Sequence, residues 1–142
     1  MIIIDTNVLS ALMHTVPEAP VVAWLDRQPA ESIWITSITL FEAYLGLALL
    51  PSGRRRKMLE TAFARVLNDD LENRVLDFDS AAATEAASLA AVRQKKGQPV
   101  DMRDTQMAGI ALARRAAIAT RNVRHFADLK ISLVNPWTDH KV

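Results

Sequence analysis

Apolar positions along this chain follow two rhythms. Residues 1–4 form a continuous apolar run, Met1-Ile2-Ile3-Ile4, of the kind that makes a strand buried on both faces. Residues 8–13 predict a short helix or turn, with Thr6 and Asn7 suited to the turn and cap before it. Pro17 and Pro20 punctuate the following loop. Residues 21–28 carry apolar side chains at helical spacing, and Pro29 stops them. Residues 32–36, rich in β-formers, predict a second strand. Residues 37–50 predict a helix that is apolar almost all round, with Glu42 its only charge. Such a helix is buried on more than one side or turns an apolar face to a partner.

After the break at Pro51-Ser52-Gly53, residues 54–68 predict an amphipathic helix with Leu59, Phe63, Val66 and Leu67 on one face. Residues 74–78 predict a third strand. Asp79 or Ser80 then caps an alanine-rich helix running to Lys96, with Gly97 as its C′ residue and Pro99 just beyond. A further helix runs from about residues 101–104 to 115, and residues 117–120 predict a fourth strand. Arg121-Asn122 reads as a turn, residues 123–129 as a helical piece, residues 131–134 as a last strand, and the tail from about 135 as frayed. This alternation predicts one α/β domain over residues 1–142: an α/β/α sandwich around a mostly parallel sheet of about five strands.

Composition narrows the class. Half of the 142 residues are hydrophobic and 23% are charged, enough for a core and too apolar for a disordered chain. The absence of cysteine excludes disulfides and thiolate zinc sites and agrees with a cytoplasmic location. No apolar run approaches ~20 residues, so no membrane span is expected. Asp5 interrupts the N-terminal apolar run, which argues against a signal peptide. A net charge of +1 does not announce a nucleic-acid binder, so the distribution of charge has to carry that argument.

A carboxylate directly after a buried strand is costly unless something compensates it. Asp5 stands there, at the carboxyl end of the first strand, which is where open parallel sheets bind ligands. Glu42 lies about a turn and a half into the helix after the second strand, Asp104 in the first turn of a later helix, and Asn122 just after the fourth strand. Three carboxylates and an amide at one end of a sheet form an oxygen-only donor set suited to Mg²⁺ or Mn²⁺. Held together, they form a platform for phosphodiester hydrolysis.

Four stretches carry a resemblance. They are residues 3–9 (IIDTNVL), 36–46 (TSITLFEAYLG), 104–111 (DTQMAGIA) and 119–126 (ATRNVRHF). In this order and spacing the chain resembles PIN-domain ribonucleases, specifically the toxins of bacterial toxin–antitoxin pairs of the virulence-associated-protein C type and the related fast-intracellular-trafficking B proteins. The resemblance implies a Mg²⁺- or Mn²⁺-dependent endoribonuclease with an α/β/α fold. It also implies a homodimer, and neutralisation by a small DNA-binding antitoxin within a higher toxin–antitoxin complex. Carried onto this chain, it makes Asp5, Glu42 and Asp104 the metal-binding acids. The family's fourth acidic position falls on Asn122, whose neutral amide holds a second metal less well. Thr6, Ser37 and Thr120 match positions that hydrogen-bond the acids or the substrate.

Other charged residues have plainer readings. Asp101 and Asp104, three apart before an apolar helix, resemble a capping box, and Asp101 is also placed as an outer neighbour of the metal site. Arg121 and Arg124 flank Asn122 and are the first candidates to grip substrate phosphate. Arg54-Arg55-Arg56-Lys57 opens a helix, where positive charge costs roughly 0.3–1 kcal/mol per residue at low salt. That placement suits contact with RNA phosphates or an acidic antitoxin segment. Residues 93–96 and 114–115 close helices and read as solvated faces. His14, His125 and His140 lack ligand spacing, and Trp24, Trp34 and Trp137 read as core.

Two alternatives stand beside this reading. One is a degenerate PIN domain that only binds RNA or protein, kept open by Asn122. The other is a haloacid-dehalogenase-like phosphatase, which wants a second Asp where this chain has Asn7.

Overall fold

The computed structural model describes residues 1–14 and 16–139. Five short strands, β1 (Ile2–Ile4), β2 (Ile33–Thr36), β3 (Val75–Leu76), β4 (Ala117–Ala119) and β5 (Leu133–Val134), form one parallel sheet in the order β3-β2-β1-β4-β5. Among the described residues six α-helices connect them: α1 (Thr6–Met13), α2 (Ala19–Asp26), α3 (Ser37–Leu49), α4 (Arg54–Arg65), α5 (Ser80–Lys95) and α6 (Met102–Arg114).

The pleat explains why the strands are apolar throughout. In β1, Ile4 faces a core built from α1, α2, α3 and α4, while Ile3 faces a second core built from α5 and α6. In β2, Ile33 and Ile35 face the first core and Trp34 the second; in β4, Ala119 and Ile118 divide the same way. The sheet is therefore covered on both faces, which is the expected three-layer sandwich. Helix α3 serves both cores, with Ile38 reaching the second and Leu40, Ala43 and Leu47 the first. Its outer face leaves Phe41, Tyr44 and Leu49 exposed.

Helices α5 and α6 pack closely because the residues between them are small. A Cβ added at Gly109 would lie 2.5 Å from the Ala82 carbonyl oxygen and 2.7 Å from Ala86 Cβ. The alanine-rich stretch of α5 is a packing surface for α6.

Several boundaries differ from expectation. Helix α1 starts at Thr6 because Asp5 is its cap, with Asp5 Oδ1 accepting from Val8 N–H at 3.0 Å. Strand β3 shortens to two residues. Helix α4 gives way to a π-helical turn over Val66–Asp70 instead of running on as α-helix. The piece after Asn122 is a 3₁₀ turn, Val123–Phe126. Within the tail expected to fray from about 135, the described residues 135–139 include a turn: Asn135 Oδ1 accepts from Trp137 N–H at 3.0 Å, and Trp137 packs against the first core. His140 lies outside the described residues.

Arg93 is a correction. Expected on a solvated face, it is 7% exposed. Its guanidinium donates to both Asp128 carboxylate oxygens, at 3.0 and 3.3 Å, and to the His125 carbonyl at 2.8 Å. This pairing lowers the Asp128 pKa below its ordinary value and ties the end of α5 to the segment after β4.

Candidate active site

The chain leaves β1 toward β2 and β3 on one side, then returns to β4 and β5 on the other. Strand β1 is thus the point where the winding reverses, and a crevice opens at the carboxyl ends there. Asp5 ends β1 and Thr120 follows β4. Asp5 N–H donates to the Ala119 carbonyl at 3.1 Å, and Thr120 Oγ1 donates to Asp5 Oδ2 at 2.5 Å. Thr120 Oγ1 also accepts from Asn122 N–H at 3.0 Å, which fixes the turn carrying the amide.

Helix α3 brings Glu42 to the same place. Its Oε1 accepts from Thr6 Oγ1 at 2.9 Å, and its Oε2 from Arg103 Nη1 at 3.3 Å. Helix α6 brings Asp104. Asp101 caps that helix, accepting from Asp104 N–H at 2.9 Å, so Asp101 sets where Asp104 stands. Asp104 Oδ2 lies 2.8 Å from His125 Nδ1.

Asp5, Glu42, Asp104 and Asn122 line one cavity of about 160 Å³, together with Thr6 and Arg103. The four side chains expected at one end of the sheet thus border the same cavity. A neighbouring cavity of about 500 Å³ is lined by Asp101, Asp104, Arg124, His125 and Arg93 among others.

Burial raises the Asp5 pKa above its ordinary value, and the Asp104 charge pushes it further the same way. Hydrogen bonds from Thr120 and from the Val8 and Asn7 backbone act in the opposite direction without cancelling it. A cation beside Asp5 and Asp104 would relieve both causes. Three carboxylates and an amide, with no sulfur, suit a hard divalent ion. As the side chains stand, no group of three His, Cys, Asp or Glu among the described residues is gathered at metal-holding distance. Glu42 is turned to Thr6 and Arg103, and Asp104 to His125.

Other expected site residues are placed elsewhere. Ser37 Oγ accepts from Phe78 N–H at 3.0 Å, tying the start of α3 to the chain after β3. The Arg121 guanidinium lies 4.3 Å from the centroid of the Trp137 ring. Arg103 and His125, which spacing did not single out, both bond to the acids. Arg103 adjoins Asp104 in sequence, and His125 follows Asn122 by three residues; those adjacencies were the available signal.

Fold and site together define an α/β domain with an acid-lined cavity at the switch point of a parallel sheet. The PIN domain family model matches residues 2–131, and the chain belongs to the PIN-domain family. Over 137 residues it is 34% identical to the VapC ribonuclease Y4jK of Sinorhizobium fredii, spanning 96% of this chain and 98% of that protein. Over 139 residues it is 31% identical to Toxin FitB of Neisseria gonorrhoeae, spanning 98% of this chain and all 100% of the other. The solved structure of FitAB bound to an IR36 DNA fragment matches with a TM-score of 0.86 at 31% identity, over 96% of both chains.

Proposed function

We propose that this protein is a metal-dependent endoribonuclease and the toxin of a toxin–antitoxin pair. The observation that carries the reading is the convergence of Asp5, Glu42 and Asp104, from β1, α3 and α6, on one small cavity. It is supported by relatives named as a VapC ribonuclease and as Toxin FitB.

Asp5, Glu42 and Asp104 would hold Mg²⁺ or Mn²⁺, with Asn122 assisting. Bound there, the ion supplies charge neutralisation at a scissile phosphate and a lowered pKa for water. The protein's share is positioning. Thr120 and the first turn of α1 hold Asp5, Thr6 holds Glu42, and the Asp101 cap and His125 hold Asp104.

The neutralising partner would be a small DNA-binding antitoxin, in keeping with the FitAB–DNA complex among the structural matches. The exposed Tyr44 and Leu49 on α3 suit a homodimer or antitoxin contact. Among the described residues no helix is long and apolar enough to cross a membrane, and a cytoplasmic location is proposed with the rest.

The test is cleavage of single-stranded RNA by the partner-free chain in Mg²⁺, with and without EDTA, beside Asp5→Asn. Loss of cleavage in both controls is expected. Cleavage surviving both would overturn the reading, and RNA binding without cleavage by the wild type would make the domain a binding module.

A further inference from the structure

A phosphodiester brought to three carboxylates meets repulsion unless a fixed positive charge stands beside them. Among the described residues lining the acidic cavity, Arg103 is the basic one. Among the described residues its hydrogen bond is from Nη1 to Glu42 at 3.3 Å, which leaves further guanidinium donors to offer a ligand. Its side chain is 48% exposed, so the pair is screened by solvent and yields readily to a better acceptor.

Arg103 also joins the cavity to an aromatic ring outside it. Its Cζ lies 5.4 Å from the centroid of the Phe41 ring, and Phe41 is 56% exposed. A large apolar ring left in water gains nothing for folding. Placed directly before Glu42 and under an arginine, it has the composition of a platform for an unpaired base: an aromatic face beside a phosphate-gripping cation. The other arginines near the site stand outside the acidic cavity. Arg121 lies over the Trp137 ring, and Arg124 lines the adjoining larger cavity.

We infer that Phe41 and Arg103 form a nucleotide subsite at the rim of the acidic cavity, where Arg103 takes a phosphate oxygen of single-stranded RNA and Phe41 stacks on the adjoining base. The inference rests on the ribonuclease reading of that cavity. It makes unpaired RNA, not duplex, the substrate class, because a base held in a helix offers no face to Phe41.

The experiment measures binding of a fluorescein-labelled single-stranded RNA by anisotropy in Mg²⁺, with Asp5→Asn as the background. Phe41→Ala, Phe41→Tyr and Arg103→Gln are added singly. Both positions are half exposed, and thermal melts check that each variant folds. Phe41→Ala is expected to weaken binding about fivefold or more, and Phe41→Tyr to restore it. Arg103→Gln is expected to weaken binding and to flatten the salt dependence by about one phosphate contact. An abasic ribose scanned along the RNA is expected to reproduce the Phe41→Ala loss at one position and to add nothing to it there.

Unchanged affinity in both Phe41→Ala and Arg103→Gln would overturn the subsite. So would a Phe41→Ala protein that changes only its oligomeric state, which would assign the ring to an interface with a second copy. The ribonuclease reading fails separately, when the wild type does not cut RNA while Phe41→Ala still weakens its binding. Absence of any RNA binding by the background protein would overturn both.

Discussion

Thr120 Oγ1 donates to Asp5 Oδ2 at 2.5 Å, joining residues 115 positions apart across the switch point of the sheet. The same hydroxyl accepts from Asn122 N–H, so one side chain aligns the first and last of the four cavity residues. Thr120→Val keeps the shape and removes both bonds. Partners that orient metal-binding carboxylates contribute about 10–100-fold in affinity or activity. Mn²⁺ affinity, by calorimetry, is expected to fall within that range, while the melting temperature moves far less than it would for a core deletion.

Asp5 gives the metal-free protein a pH-dependent weakness. Burial raises its pKa in the folded state above the unfolded value, so between those two values the native state holds more protons than the unfolded state. Stability therefore falls as pH rises from the ordinary carboxylate value through the raised one. Asp5→Asn removes that slope and retains a side chain able to cap α1. In EDTA at pH 7 it is expected to melt above the wild type while losing RNA cleavage. A lower melting temperature for the variant, read by calorimetry, would count against the burial argument.

Gly109 tests the α5–α6 contact. An added methyl would lie 2.5 Å from the Ala82 carbonyl oxygen, a backbone atom that moves only with its helix. Gly109→Ala is expected to destabilise by about 1–3 kcal/mol, despite alanine's better helix propensity. Denaturant unfolding measures it; a neutral or stabilising effect would show that the helices separate freely.

Arg93 anchors the segment that carries His125. Arg93→Met leaves the His125 carbonyl and Asp128 without their donor, at an expected cost of about 1–3 kcal/mol. The Asp128 pKa is lowered in the fold, so its contribution is present above the unfolded carboxylate value and is lost as pH falls through the lowered one. Asp128 is 46% exposed, and solvent screening keeps that part small. Denaturant midpoints of the variant and the wild type should therefore differ at neutral pH, and that difference should shrink only slightly as the pH falls into the acid range.

The layout of this fold was legible because its signals are local. Ile3 and Ile4 face opposite cores, so a fully apolar run marked a doubly covered strand, and the Asp101–Asp104 spacing marked a helix cap that the structure contains. The meeting of Asp5, Glu42, Asp104 and Asn122 followed from where strands end in a parallel sheet. What stayed hidden depends on partners distant in sequence. Arg93 reads as a helix-ending surface charge until Asp128 and His125 are folded against it. Arg103 is not singled out by spacing, and its place at the cavity follows from α3 delivering Glu42 and Phe41 beside it. His125 has no ligand spacing, yet the turn after β4 sets it 2.8 Å from Asp104. Asp5 itself has two functions, as helix cap and cavity acid, and only the first bonds it makes reveal both.

The measurement that bears most directly on the acidic site is a calorimetric titration of Mn²⁺ into the metal-free wild type beside Asp5→Asn, Glu42→Gln and Asp104→Asn. Saturable binding by the wild type, lost or weakened at least about tenfold in each variant, is the expected result. Absence of binding by the wild type, or binding that all three variants retain unchanged, would contradict a metal site built from these carboxylates.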